Sequence, residues 1–525
     1  MKRDRGLALA LYVAGGFLCS HVAEGQRSPI GNWSAPGNDA GHSGWQRNET
    51  SLSSETTSSQ FKFLWKLKLG GQAKDATTFS EPLLALRLIN AQGFKDIVFT
   101  STTDTLYAVD SELGSLLWKK QYEVGSRPSG ACARSNLGIV MDQPVVINFA
   151  ARRTPGAALG APPPPPPKAE GRRVGAAAGG GGFALRGIYV LTPDGNVHEQ
   201  VLTTGADFAA PVNFIPSSAG GLHPLNIGGK SLYTVTTRGC GSTPNALWSL
   251  DMTTSQYPVS SFKTQTLAPI DVMGPTLGDG VAYMVTGGGK SDASAGVYAN
   301  SVISVTEKGL KVKDWYTPAG SGKATLLNVT PVAFTLREKK LVAAPGKDGS
   351  LVLLENASLG GADHHTPLVQ TARIASGKHA SAGGLAYWQE PGGPAWIFAS
   401  VSGPVDAATK FTEDNGAANH GSVVAFKVEE KDGKVVLTPS WRSSDLVNPA
   451  PPLIANGVLI ALSQGDNKTH AKLFALDAKS GKQLFQSGET ISTYAHLAGL
   501  SFGDGHVFFV THDNTLYSFG IGLEH

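Results

Sequence analysis

The sequence predicts an all-β protein: one eight-bladed β-propeller of four-stranded blades, closed by a strand from near the N-terminus. Three observations predict it. A strand–turn–strand pattern recurs at nearly even spacing. The last copy of that pattern lacks a fourth strand, while a strand without a sheet stands ahead of the first copy. The composition is poor in charge, at 16%, and rich in turn-formers, with 64 Gly among 525 residues, which suits a strand-rich fold better than a helical or disordered one.

The repeat runs as follows. A short apolar stretch ends in a turn with Asp, Asn or Gly, an alternating strand follows, and after a second turn a last strand often carries Trp or Phe. Alternation at period two marks half-buried strands, and these turn residues close hairpins. The clearest copy is Asp96-Ile-Val-Phe-Thr-Ser-Thr-Thr-Asp104, then Leu106-Tyr-Ala-Val-Asp110, then Gly114-Ser-Leu-Leu-Trp118. A second is Val458-Leu-Ile-Ala-Leu462, Leu473-Phe-Ala-Leu-Asp477 and Gly481-Lys-Gln-Leu-Phe485. Weaker copies centre their third strand on Val197, Leu247, Val302, Leu351, Val423 and Leu516. Successive spacings from Leu106 are 91, 50, 55, 49, 72, 50 and 43 residues, mostly near the ~40–50 of a four-stranded blade. Eight third strands mean eight blades in one domain, 61–525. The missing outer strand of the last blade is supplied by 61–69, whose apolar residues alternate; such closure ties the termini together and removes a sheet edge.

Two segments fall outside the ring. Residues 26–60 form a polar extended arm, and its Trp33 and Trp45 are expected to pack on the propeller's surface. Residues 151–183 hold six consecutive prolines and a Gly/Ala tract. Such composition cannot bury a core, so this insertion is expected to be a disordered, solvated excursion.

The start of the chain reads as a signal peptide, 1–25. Lys2, Arg3 and Arg5 precede an apolar run, 6–18, that is shorter than the ~20 residues needed to span a bilayer. Ala23 and Gly25 supply small residues for a peptidase, with Gln26 as the mature start. The order of Gly16 and Leu18 before Cys19 does not match a lipobox. The expected location is periplasmic or extracellular, with no transmembrane segment. A disulfide between Cys132 and Cys240 and two separate buried thiols both fit an oxidising compartment.

The formal net charge is +3 with the cations dispersed, which excludes a nucleic-acid footprint. In a propeller the loops leading into each innermost strand ring a central funnel, the default ligand site. The funnel candidates are Glu81, Arg127, Asp271, Asn328, His379, Asn448 and His496. Glu81, Asp271, Asn328 and Asn448 offer oxygens to a hard cation; His379 and His496 offer bases or ligands. The bland alternative is that these groups bond loop backbone around a wet tunnel. Asp363-His364-His365 reads as a surface loop, because adjacent imidazoles on an extended chain point apart. Gly287-Gly-Gly-Lys290 lacks the spacing and following helix of a P-loop, and no Gly-x-Ser-x-Gly elbow is present.

At its third and fourth strands the sequence resembles the PQQ enzyme repeat: Ala108-Val-Asp110-x-x-x-Gly114-x-x-x-Trp118 and Ala475-Leu-Asp477-x-x-x-Gly481 match its Ala-x-Asp-x-x-x-Gly core. The stretch from Trp33 to Trp65 is similar to the N-terminal arm of quinoprotein alcohol dehydrogenases. A closer likeness is to bacterial PQQ-binding-like repeat proteins, carried by Cys240-Gly-Ser-Thr-Pro-Asn-Ala-Leu-Trp248, Gly346-Lys-Asp-Gly349 and the ending Asp513-Asn-Thr-Leu-Tyr-Ser-Phe519. The resemblance implies the propeller fold. For activity it also asks for a vicinal disulfide over the quinone, Glu, Asn and Asp ligands to Ca²⁺, and an Asp base. The chain has no adjacent cysteines, and those ligand segments do not align. PQQ is a tricarboxylate, and among the funnel loops only Arg127 and Lys378 are cations to meet it. The expected function is therefore a binding scaffold, holding a protein or small-molecule ligand in the funnel with no assigned cofactor. A PQQ- and Ca-dependent oxidoreductase of an alcohol or sugar is the alternative.

Overall fold

Each copy of the repeat folds into one antiparallel sheet. The computed structural model describes residues 31–70, 79–90, 93–123, 136–142, 187–216, 224–237, 243–264, 273–319, 329–346, 349–376, 381–495 and 499–522. In the first blade the strands Leu83–Asn90, Gly93–Ser101, Thr105–Asp110 and Leu116–Gln121 pair in chain order from the ring's centre to its rim. Seven further sheets follow, making the eight-bladed ring. All eight third-strand centres read from the sequence fall in third strands. The last blade is Ser501–Gly503, His506–Val510 and Thr515–Ile521, and its rim strand is Phe61–Lys68, antiparallel to Thr515–Ile521.

The Asp-x-x-x-Gly-x-x-x-Trp motif has a direct physical reading. Asp110 Oδ1 accepts the amides of Glu112 and Leu113 at 3.1 and 3.0 Å, the Asx turn that this side chain favours. Asp477 does the same with Lys479 and Ser480. Gly114 and Gly481 take the left-handed φ of +63° and +71° that ends the turn. A β-bulge then precedes the tryptophan, re-aiming it at the next blade. Trp65 lies on Gly114, Trp118 on Gly205 and Trp441 on Gly481; a Cβ at any of these glycines would come within 2.4–2.6 Å of the indole. The three indole N–H groups donate to Ser111 O, Leu202 O and Ala478 O at 2.9, 3.1 and 2.9 Å. Each motif thus joins one blade to the next.

The arm lies inside the ring, which corrects the expectation that its indoles pack outside. Residues 31–46 circle the channel once and bond to the innermost strand of every blade. Trp33 exchanges two backbone bonds with Leu84, and Ser34 O accepts from Met141 N. Ala40 O accepts from the Asn226 amide and from Leu277 N, Gly41 O from Ala333 N, Ser43 O from Tyr387 N and Gly44 O from Ile454 N. Gln46 Nε2 finishes the circuit, donating to Phe502 O at 3.1 Å and back to Gly31 O at 2.7 Å. Such close backbone approach requires glycine: a Cβ on Gly41 would sit 2.6 Å from Ala333 O. Trp33 is 1% exposed, while Trp45 is half-buried beneath the Arg47 guanidinium. A capping box between Ser53 and Thr56 then starts a short helix, Ser54–Gln60, that delivers the rim strand.

Candidate functional site

Antiparallel strands alternate the two faces of the ring. Loops leading into innermost strands share the funnel face with the second-to-third turns; the other turns lie opposite. The arm arrives and leaves on the opposite side, where Glu49 accepts from Gly505 N and Leu52 O from the Asn456 amide. Its circuit is therefore the floor of the funnel.

Glu81 stands on that floor, two residues before the first blade's inner strand. Its Oε1 accepts from the Trp33 indole at 2.9 Å and from Gly37 N at 2.7 Å. Burial pushes its carboxyl up from 4.5 to about 7, against the pull of those two donors. His42, 1% exposed, lies on the same floor. Its Nδ1 is 2.7 Å from Pro36 O, and its Nε2 is 3.3 Å from the Asn226 amide nitrogen. Its Nε2 also lies 3.2 Å from Pro275 O, and the two amide hydrogens of Asn226 go to Ala40 O and Pro275 O, so a neutral ring donates to one carbonyl only, Pro36 O at the shorter distance; burial lowers its pKa. Between the two groups is a cavity of about 10 Å³, bordered also by Met273, Pro451 and Leu500. That is room for about one water molecule.

Of the other funnel candidates, Asn448 takes a left-handed φ of +49° and donates its amide to Gly465 O at 3.0 Å. Arg127, Asp271, Asn328, Lys378, His379 and His496 lie outside the described residues, as do Cys132, Cys240, the segment 1–25 and the insertion 151–183. Of the four oxygen donors considered for a cation, Glu81 and Asn448 lie among the described residues. One carboxylate oxygen of Glu81 serves two N–H groups of the arm, and the Asn448 amide is turned to backbone. Among the described residues no three His, Cys, Asp or Glu side chains converge to hold a metal. His364 and His365 separate as expected: His364 pairs with Asp314 at 2.9 Å and stacks on Trp315, while His365 Nδ1 meets Thr317 O. The partnership of Glu81 with Trp33 was not legible in the sequence, because it spans 48 residues.

No protein-family model matches the chain, and no curated protein matches it in sequence. Solved structures do. The quinohemoprotein alcohol dehydrogenase from Comamonas testosteroni is similar over 94% of this chain and 81% of that one, with a TM-score of 0.55 and 11% identity. A europium-containing methanol dehydrogenase is similar over 93% and 98%, with a TM-score of 0.54 and 9% identity. At such identities the likeness is one of fold alone: the chain is an eight-bladed β-propeller, similar in fold to these dehydrogenases. No helix among the described residues is long and apolar enough to cross a membrane.

Proposed function

We propose that the protein is an exported binding scaffold, a propeller whose faces hold a protein or small ligand without a catalytic step of its own. The occupied channel supports this reading: the arm fills the centre at the level of the inner strands, and Glu81 is committed to the arm. Fold alone does not confer the dehydrogenases' activity. Export is supported by the basic start and the short apolar run before Gln26; an intact mass of secreted protein beginning at Gln26 is the expected check.

The deciding experiment is reconstitution with PQQ and Ca²⁺, followed by dye reduction with a panel of alcohols and aldoses. The scaffold reading expects neither stoichiometric quinone binding nor turnover. Tight binding with substrate-dependent dye reduction, abolished by Asp271→Ala, would overturn it in favour of the oxidoreductase that the shared fold suggests.

A further inference from the structure

One blade of the ring already carries an extra strand at its rim. In the sixth blade the rim strand Lys434–Arg442 is paired on its outer edge by Glu413–Asp414, in parallel. Thr412 N donates to Ser440 O at 2.8 Å. Arg442 holds the Asp414 carboxylate through two bonds of 2.9 and 2.8 Å, and its guanidinium stands 6.0 Å from the Phe411 ring. An extended acidic segment with an apolar residue ahead of it is thus docked by backbone pairing, a bidentate ion pair and a ring contact.

The first blade repeats the receiving half of this arrangement. Trp118 sits opposite Ala108 just past a bulge, as Trp441 sits opposite Ala425. Lys119 therefore occupies the register position of Arg442. It is exposed, and among the described residues it has no ion pair and nothing bonds to the outer edge of Leu116–Gln121. That strand carries two lysines and no acid; Lys120 is already engaged by Asp207 at 2.7 Å. Beside Lys119 the apolar side chains of Leu113, Leu116 and Leu117 are 69%, 44% and 38% exposed. The eighth blade has the same Trp65-Lys66 pair, but there Lys66 lies over the Tyr517 ring.

We propose that the outer edge of the first blade binds an extended acidic segment of a partner protein, which adds a fifth strand in parallel and sets a carboxylate on Lys119 and apolar side chains on Leu116 and Leu117. This rests on the scaffold reading and names the class of partner it serves. Lysine replaces arginine, so the carboxylate is held as a point charge rather than bidentately, and the complex is correspondingly salt-sensitive.

The test uses the full chain and a labelled peptide, Lys-Phe-Thr-Glu-Asp-Asn-Gly, the sequence of residues 410–416. Fluorescence anisotropy is expected to show saturable binding, weakened about fivefold or more by Lys119→Glu and recovered when the peptide's Asp is replaced by Lys. A peptide with Pro in place of Thr, which lacks the donating N–H, is expected not to bind. Hydrogen exchange is expected to slow across Leu116–Gln121 in the complex. Absence of binding, equal binding by Lys119→Glu, or loss on Lys66→Glu instead would overturn the proposal. So would binding to anionic vesicles with none to the peptide. Quinone turnover with peptide binding intact would overturn the scaffold reading alone; failure of both assays would overturn this inference alone.

Discussion

Replacing Glu81 by Gln isolates the one carboxyl that the arm buries on the funnel floor. The folded group titrates at about 7, against 4.5 for an unperturbed carboxyl. Below pH 4.5 the group is neutral in both the folded and the unfolded chain. Between 4.5 and about 7 the folded protein keeps a proton that the unfolded chain has lost, and above 7 the folded state must hold a buried charge. The stability present at low pH is therefore lost as pH rises through 7. At about 1.4 kcal/mol per pH unit the interval is worth about 3.5 kcal/mol, an upper figure because the side chain keeps some exposure to the channel. Glutamine retains an oxygen to accept from Trp33 and Gly37 but does not titrate. Urea unfolding of both proteins between pH 4.5 and 8 is the assay. The difference between them is expected to move towards Gln by about 1–3 kcal/mol across that range. His42 and the other buried groups are common to both proteins and cancel. Parallel stability profiles would refute the reasoning, since they would mean that this carboxyl titrates as it does in the unfolded chain.

Three further outcomes are expected. Trp441→Ala removes an indole that is 0% exposed and its bond to Ala478, and should cost about 3–5 kcal/mol in chemical denaturation. Gly41→Ala sets a methyl 2.6 Å from Ala333 O; limited proteolysis should then cut the arm near Arg47 well before the wild type is cut there. Deleting residues 155–180 should leave the melting temperature unchanged, because the two strands it joins pair directly through Met141 and Ile188; a drop of more than a few degrees would show that the segment packs on the ring.

The repeat was legible because its causes are local. Period-two alternation, the Asx turn at Asp110 and Asp477, and the left-handed glycines after them lie within a few residues of one another, so each blade announces itself. The ring-closing strand was legible as arithmetic: a blade one strand short and an unmatched strand elsewhere. The arm's course was not. Gln46 reaches Phe502 across 456 residues, and bonds to eight separate strands, two of them through the Asn226 and Gln46 side chains, leave no local pattern; Gly37, Gly41 and Gly44 look like any loop glycines until something is placed beside them. The strand Glu413–Asp414 was hidden for the same reason, inside a polar stretch that read only as a long spacing. Glu81 was legible as a funnel residue from its place before an inner strand, but its donors belong to the arm.

The N-terminal segment consequently holds the ring at two radii. Residues 31–46 touch every inner strand, and Phe61–Lys68 completes the last blade at the rim. The contacts with the eighth blade, Gln46 to Phe502 and Phe61–Lys68 to Thr515–Ile521, close the largest loop in the chain. The inner strands have a cheaper alternative for their polar groups: the backbone N–H groups donated to arm carbonyls, among them those of Leu84, Met141, Leu277, Ala333, Tyr387 and Ile454, would meet water in an open channel, at little net loss. Trp33 has no such alternative, because its indole body is buried against the first blade's inner strand. The apolar contact, rather than the count of hydrogen bonds, therefore sets how firmly the floor of the funnel is held, and the Glu81 carboxyl and the His42 imidazole together set how that hold varies with pH.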